Sequence, residues 1–103
     1  MKLTEAQIEQ AVCQWLHYNN FFVVKFKDQT AHRDGKYHKP LPFQTNGVSD
    51  LMAIRDGNVY WIEVKSKTGT QSKAQKEFQL NIELNGGTYW LVRSIDEVKA
   101  LLG

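Results

Sequence analysis

Asp56-Gly57 lies between two strand-like runs, Val48 to Arg55 and Asn58 to Ser66, and this dipeptide is the strongest short-range signal for a two-residue hairpin turn. A turn at those positions sets Arg55 opposite Asn58 and fixes every pair behind it. Met52, Ile54, Val59 and Trp61 then share one face, while Leu51, Ala53, Tyr60, Ile62 and Val64 share the other. A hairpin that is apolar on both sides has to be covered on both sides, as the central strand pair of a layered sheet.

The same register sets Asp50 opposite Glu63, with Cβ atoms roughly 5 Å apart. Lys65, two residues further along, points to that side as well. Like charges directly opposite one another destabilise a sheet, so a purely structural hairpin has reason to avoid this pair. A surface salt bridge on an exposed sheet face is the plain alternative, but an exposed face alternates polar and apolar residues more cleanly than these runs do. Half-buried, two carboxylates need a proton, a cationic partner or a metal. Lys65 can neutralise one charge. A hard divalent ion such as Mg²⁺, with Mn²⁺ as a substitute, takes oxygen ligands, keeps several waters and satisfies both acids. Phosphodiester hydrolysis needs an activated water, a Lewis acid on the phosphoryl oxygens and stabilisation of the leaving oxygen. Asp50 and Glu63 can fix the ion, and Lys65 can position the attacking water or stabilise developing negative charge.

Other elements surround the hairpin. Thr4 with Gln7 has capping-box spacing and opens a helix through about Asn19, with Ile8, Val12, Trp15 and Leu16 at helical spacing. Phe21 to Phe26 reads as a strand. Asp28 to Asn46 is polar, carries both prolines and has no clear period. Ser72 with Gln75 is a second capping box, opening a helix that stops near Gly86-Gly87. Thr88 to Arg93 is a further strand, and Ser94 with Glu97 caps a last helix over Ile95 to Leu102. The expected order is α-β-β-β-α-β-α, an α/β sandwich with a small mixed sheet and one domain over residues 1–103.

Composition narrows the function classes. With 42% hydrophobic residues the 103-residue chain can fill a core, and its net charge of +2 tolerates a polyanionic partner without demanding one. The lone Cys13 excludes an internal disulfide and a multi-Cys zinc site, and it reads as an inert thiol within the first helix. No run reaches the roughly 18 apolar residues of a membrane span, and MKLTEAQIEQ lacks a signal-peptide pattern, so a cytoplasmic protein of a bacterial or phage-infected cell is expected. There is no Ser-His-Asp arrangement, P-loop or dinucleotide fingerprint, and no organic cofactor is expected.

Gly47-Val48-Ser49-Asp50, then twelve residues, then Glu63-Val64-Lys65, resembles the PD-(D/E)XK nuclease superfamily. Ser72-x-x-Gln75, Gly86-Gly87 and the stretch YWLVRSIDEV resemble, more narrowly, its virus-type replication-repair nuclease (VRR-NUC) family, over nearly the whole chain. The resemblance implies a restriction-endonuclease-like fold and a metal-dependent phosphodiesterase acting on DNA. Asp50 and Glu63 would be metal ligands together with the backbone carbonyl of Val64, Lys65 the catalytic lysine, Glu9 the acid of the first helix that completes the site, and Gln75 the motif glutamine. By pattern alone Glu9 is a solvated helix acid beside Glu5, and the capping box alone explains Gln75; these readings stay open beside the family's. Ser49 stands where the family usually has proline, and its side chain is expected to point away from the site.

Arg33, Lys36 and Lys39, with His32, His38, Tyr37 and Phe43 interleaved, offer cations for a DNA backbone, as do Lys67, Lys73 and Lys76 after the Glu63 strand. A metal role for the two histidines is not expected, because their spacing matches no usual ligand pattern. The resemblance implies branched DNA such as Holliday junctions as substrate and a homodimer as the acting form. The alternatives are a flap- or sequence-specific nuclease, or a non-catalytic DNA-binding or assembly module on the same fold.

Overall fold

The structure is a computed structural model that describes residues 2–26, 32–33, 36–37 and 45–103. Helix α1 (Glu5–Tyr18) begins where expected. The Thr4 hydroxyl accepts from the Gln7 amide, the Gln7 side chain accepts from the Thr4 amide, and Ile8, Val12 and Leu16 form its buried stripe. The chain turns through Asn19 and Asn20, the latter at φ 68°, into strand β1 (Phe22–Lys25).

Strands β4 (Leu51–Arg55) and β5 (Asn58–Val64) form the hairpin, with Asp56 at φ 53° and Gly57 at φ 80°. Positive φ at both central residues is what a type I′ turn requires. The register runs from Arg55↔Asn58 back to Leu51↔Ile62, as the turn predicts. Helix α2 (Lys73–Leu84) follows, again with a complete capping box, between Ser72 and Gln75. It crosses over to strand β6 (Thr88–Val92), which pairs parallel with β5, and helix α3 (Ile95–Leu102) ends the fold. The sheet order is β1-β4-β5-β6, antiparallel except at β5/β6, which makes it the expected mixed sheet.

Both faces of the hairpin are covered toward its Asp50 end, by different layers, whereas toward the turn Val59 and, on β1, Phe22 are exposed. Leu51, Ala53, Ile62 and Val64 meet Ile8, Val12 and Leu16 of α1 and Val98 of α3 in the core. Tyr60 stacks on Trp90 at 4.9 Å on this side. On the opposite side Trp61 stacks on Phe26 at 5.8 Å and meets the Phe78 ring of α2 edge-on at 5.5 Å. The arrangement is the α/β sandwich expected, with α1 and α3 below the sheet and α2 above. Among the described residues no helix is long and apolar enough to cross a membrane.

Two differences from the sequence reading have local causes. The segment 28–46, read as irregular, contains a two-residue antiparallel ladder between β2 (His32–Arg33) and β3 (Lys36–Tyr37), a pairing too short to leave a period. The first hairpin strand starts at Leu51 rather than Val48, because the preceding residues are committed elsewhere. Gly47, at φ +74°, presses against the first turn of α2, where an added Cβ would lie 2.3 Å from the Ala74 carbonyl. Ser49 is buried and its hydroxyl donates to the Leu51 carbonyl at 3.0 Å.

The two left-handed glycines predict contrasting substitutions. Gly57→Ala meets nothing within 4 Å and carries only the conformational penalty, about 1–2 kcal/mol. Gly47→Ala adds a clash with helix backbone, so urea unfolding should show a loss larger by at least about 1 kcal/mol. Equal losses at the two positions would contradict the close approach of Gly47 to α2.

Candidate active site

Strand β4 ends its ladder with β5 at Leu51, so the next donor on β5, the Val64 N–H, has no strand carbonyl opposite. The Asp50 carboxylate takes that place, accepting from Val64 N at 2.7 Å. On its other side Asp50 accepts the Phe26 N–H with its backbone carbonyl at 3.0 Å. Held by both neighbours, Asp50 directs its charge at Glu63, the residue its register predicts.

Glu63 is a fully buried acid, 1% exposed. One oxygen, Oε2, accepts from Gln75 Nε2 at 3.1 Å and lies 3.7 Å from the Lys65 ammonium. The other, Oε1, is buried without any hydrogen-bond partner. Burial, then the Asp50 charge and a hydrogen bond shared with Asp50, push the Glu63 carboxyl up to about 8, against the opposing pull of Lys65. The two carboxyls therefore interact directly, and one lysine does not offset their confinement.

Gln75 serves two purposes at once. Its Oε1 accepts from the Ser72 amide at 2.8 Å, completing the helix cap, while its Nε2 faces Glu63. A capping box anchors this side chain to the first turn of α2 and aims its remaining donors at the acid. Lys65 is nearly buried and keeps its ammonium on the α2 side of the sheet, beside Glu63.

Glu9 approaches from the other layer. It lines a cavity of about 490 Å³ at the end of the sheet together with Lys25, Phe26, Gly47, Asp50 and Gln75, while Glu63 and Lys65 lie outside the lining. Its Oε1 is buried and makes no hydrogen bond, and the Lys25 ammonium sits 3.3 Å from it as an ion pair whose alignment falls short of one. Among the described residues no three His, Cys, Asp or Glu side chains are grouped closely enough to hold one ion. The acids thus come as a pair, Asp50 with Glu63, and a separate Glu9 turned to Lys25. Val64 keeps its side chain in the core and gives its N–H to Asp50.

The cations proposed for DNA divide by position. Lys73 and Lys76 are exposed on the first turns of α2, and Lys67 is exposed on the loop leading to it. Arg33 and Lys36 are cross-strand partners in the β2–β3 ladder. Lys39, with His38 and Phe43, lies outside the described residues. Cys13 is half-buried, and burial followed by the Glu9 charge pushes its thiol pKa up, which suits an unreactive role.

Two supports were not legible in the sequence. Lys25 stands on a strand chosen for its apolar content, and only the packing of α1 against β1 brings it to Glu9. Arg93 Nη1 donates to the carbonyls of Ser66 at 2.7 Å and Gly69 at 2.6 Å, with Lys67 at 3.4 Å, so one guanidinium gathers the loop that follows Lys65. No spacing rule announces a contact of this range; the parallel register of Val64 with Val92 places Arg93 beside Lys65 and makes it possible.

The fold is shared with a solved VRR_NUC domain at a TM-score of 0.70, covering 97% of this chain and 96% of that one at 16% sequence identity. No family model matches the chain, and no curated protein matches it. At that identity the likeness is one of fold.

Glu63 makes stability depend on pH in a definite direction. Its carboxyl titrates at about 8 in the folded protein and at the ordinary 4.5 once unfolded, so between these values the unfolded chain gives up the proton first. In EDTA the protein should lose stability as pH rises through this window, by no more than about 1.4 kcal/mol per pH unit, and lose no more from this group above it. Chemical unfolding from pH 5 to 8.5 should show a shallower fall for Glu63→Gln; identical slopes would rule out the raised carboxyl.

Proposed function

We propose that this chain is a single divalent-metal-dependent DNA endonuclease domain of the VRR-NUC family, hydrolysing phosphodiester bonds at the Asp50–Glu63–Lys65 site with Mg²⁺ and with Mn²⁺ as a substitute. The observation that carries the reading is the buried Glu63 Oε1, an acceptor with no donor, next to a second carboxylate. With its pKa raised to about 8 the carboxyl keeps its proton at neutral pH, and a hard cation bound between the two acids would take that proton's place. The donor set fits such an ion. Two carboxylates match the one or two that Mg²⁺ usually takes, with waters and substrate phosphate completing its shell. Asp50 and Glu63 would hold it, with the Val64 carbonyl proposed as a further ligand and Glu9 as an outer acid. When bound, the ion supplies Lewis acidity on the phosphoryl oxygens and lowers the pKa of attacking water.

The chain's own groups do the rest. Val64 N–H fixes one Asp50 oxygen, Oδ2. Gln75 orients Glu63 by donating to Oε2. Lys65, held beside Glu63, offers an ammonium to the negative charge that grows on the phosphoryl oxygens as water adds to phosphorus and the P–O bond to the leaving strand breaks. Lys67, Lys73 and Lys76, in the loop and at the start of α2, would receive the backbone of the DNA, assisted by the N-terminal end of that helix. Arg33, Lys36 and Lys39 are proposed as further backbone contacts. Branched DNA such as a four-way junction, and a homodimer that addresses two strands, complete the proposal and rest on the family resemblance.

Incubation with four-way junction, flap and linear duplex DNA tests it. Cleavage is expected with Mg²⁺ or Mn²⁺ and not with EDTA. Asp50→Asn and Lys65→Ala should each lower kcat by about 100-fold or more, and Gln75→Ala by about 10-fold through loss of orientation. Cleavage that persists in EDTA, or in Asp50→Asn, overturns the mechanism. DNA binding without cleavage of any substrate would point to the assembly module instead.

A further inference from the structure

Resting on that reading, we infer that Lys25 is a stand-in counter-ion for Glu9 that gives way to the divalent cation and, once displaced, binds a phosphate of the DNA strand. Three observations converge. Glu9 Oε1 is buried yet makes no hydrogen bond, and the one cation within ion-pair distance among the described residues is the Lys25 ammonium at 3.3 Å. The pairing is lopsided: the Lys25 side chain is 70% exposed while that of Glu9 is 15% exposed. A water-facing cation thus neutralises a confined acid. Both residues line the same cavity as Asp50, so a cation held at Asp50 would attract the Glu9 charge from across the cavity and compete with the ammonium for it.

Geometry gives Lys25 somewhere to go. It pairs with Leu51 across the sheet, one residue from Asp50, and β1 is the edge strand of the four-stranded sheet among the described residues. An ammonium carries three donors and no acceptor, so release from Glu9 leaves it ready for phosphate oxygens. Lys65 and the lysines of α2 approach from the other layer of the sandwich. Among the described residues Lys25 is placed to grip the strand from the α1 side, so the DNA would cross the cavity between cations of both layers. Exchange of one counter-ion for another also keeps Glu9 from facing the cavity as a bare charge before the metal and DNA arrive, which would repel the polyanion.

The inference predicts effects of opposite sign from a single change. Lys25→Met keeps the aliphatic stem and removes the charge. Calorimetric titration with Mn²⁺ in the absence of DNA should show tighter binding, by up to about fivefold, the limit set by an exposed ion pair. With Ca²⁺ present, duplex and junction DNA should bind more weakly, and the salt-dependence slope should fall by about 0.9. Lys25→Arg should keep both properties near wild type, and Lys25→Met should keep a cooperative melting transition lowered only slightly by loss of the ion pair. In Glu9→Gln, adding Lys25→Met should no longer tighten Mn²⁺ binding, because the competitor's target is gone. Unchanged or weaker Mn²⁺ binding in Lys25→Met overturns the stand-in role, as does tightening that persists in the Glu9→Gln background. An unchanged salt slope overturns the phosphate contact. Wild-type protein that binds no Mn²⁺ overturns both this inference and the metal site itself, whereas wild-type binding lost in Asp50→Asn with no response to Lys25→Met overturns the inference alone.

Discussion

Where β4 gives out, the donor on Val64 would be left without a partner inside the protein, and the Asp50 carboxylate accepts it at 2.7 Å. A charged acceptor makes a stronger bond than a backbone carbonyl would, and it fixes a side chain as firmly as the ladder fixes main chain. Much of the site follows from that substitution. Asp50 is bound to both adjacent strands, its carboxylate to β5 and its carbonyl to β1, and Glu63 is met there by construction rather than by chance. The hairpin thus ends in an acid pair whose spacing is set by backbone geometry.

The layers above and below the sheet make this arrangement durable and give it asymmetry. Below, α1 and α3 close an aliphatic core that contains Val64 and Ile62, and α1 brings Glu9 to the sheet's end. Above, α2 supplies the Phe78 ring to Trp61 and the Gln75 amide to Glu63. The residues that fill the core alternate with the residues of the site along one strand, β5. A shift of register by one position would place Glu63 in the aliphatic core and Val64 among the charges, so packing and chemistry enforce the same pairing.

Much of this was legible in the residues because it is local. The Asp56-Gly57 turn dictates the register, the two capping boxes mark where α1 and α2 start, and the alternation of apolar residues identifies a strand pair covered on both sides. Glu63 was readable as a confined acid for the same reason. What escaped depends on contacts between distant segments. Gly47 has a role only because the first turn of α2 packs against it. Lys25 reads as the end of an apolar strand until α1 is laid across β1. The β2–β3 ladder is two residues long in each strand, below the length at which a period can be seen. Gln75 shows the limit most clearly: its capping role follows from a spacing of three residues, whereas its bond to Glu63 needs the crossover from β5 to α2.

The clasp made by Arg93 makes one part of the site depend on the docking of β6. The guanidinium reaches back 27 residues to Ser66 and gathers the bend behind Lys65. A contact of that span carries a loop-closure cost that the docking of β6 beside β5 has to offset. The acid pair is set by the hairpin alone, whereas the bend behind Lys65 is tied to the last strand of the sheet. Loosening β6 would therefore free the bend beside the ammonium while leaving the carboxylates in register.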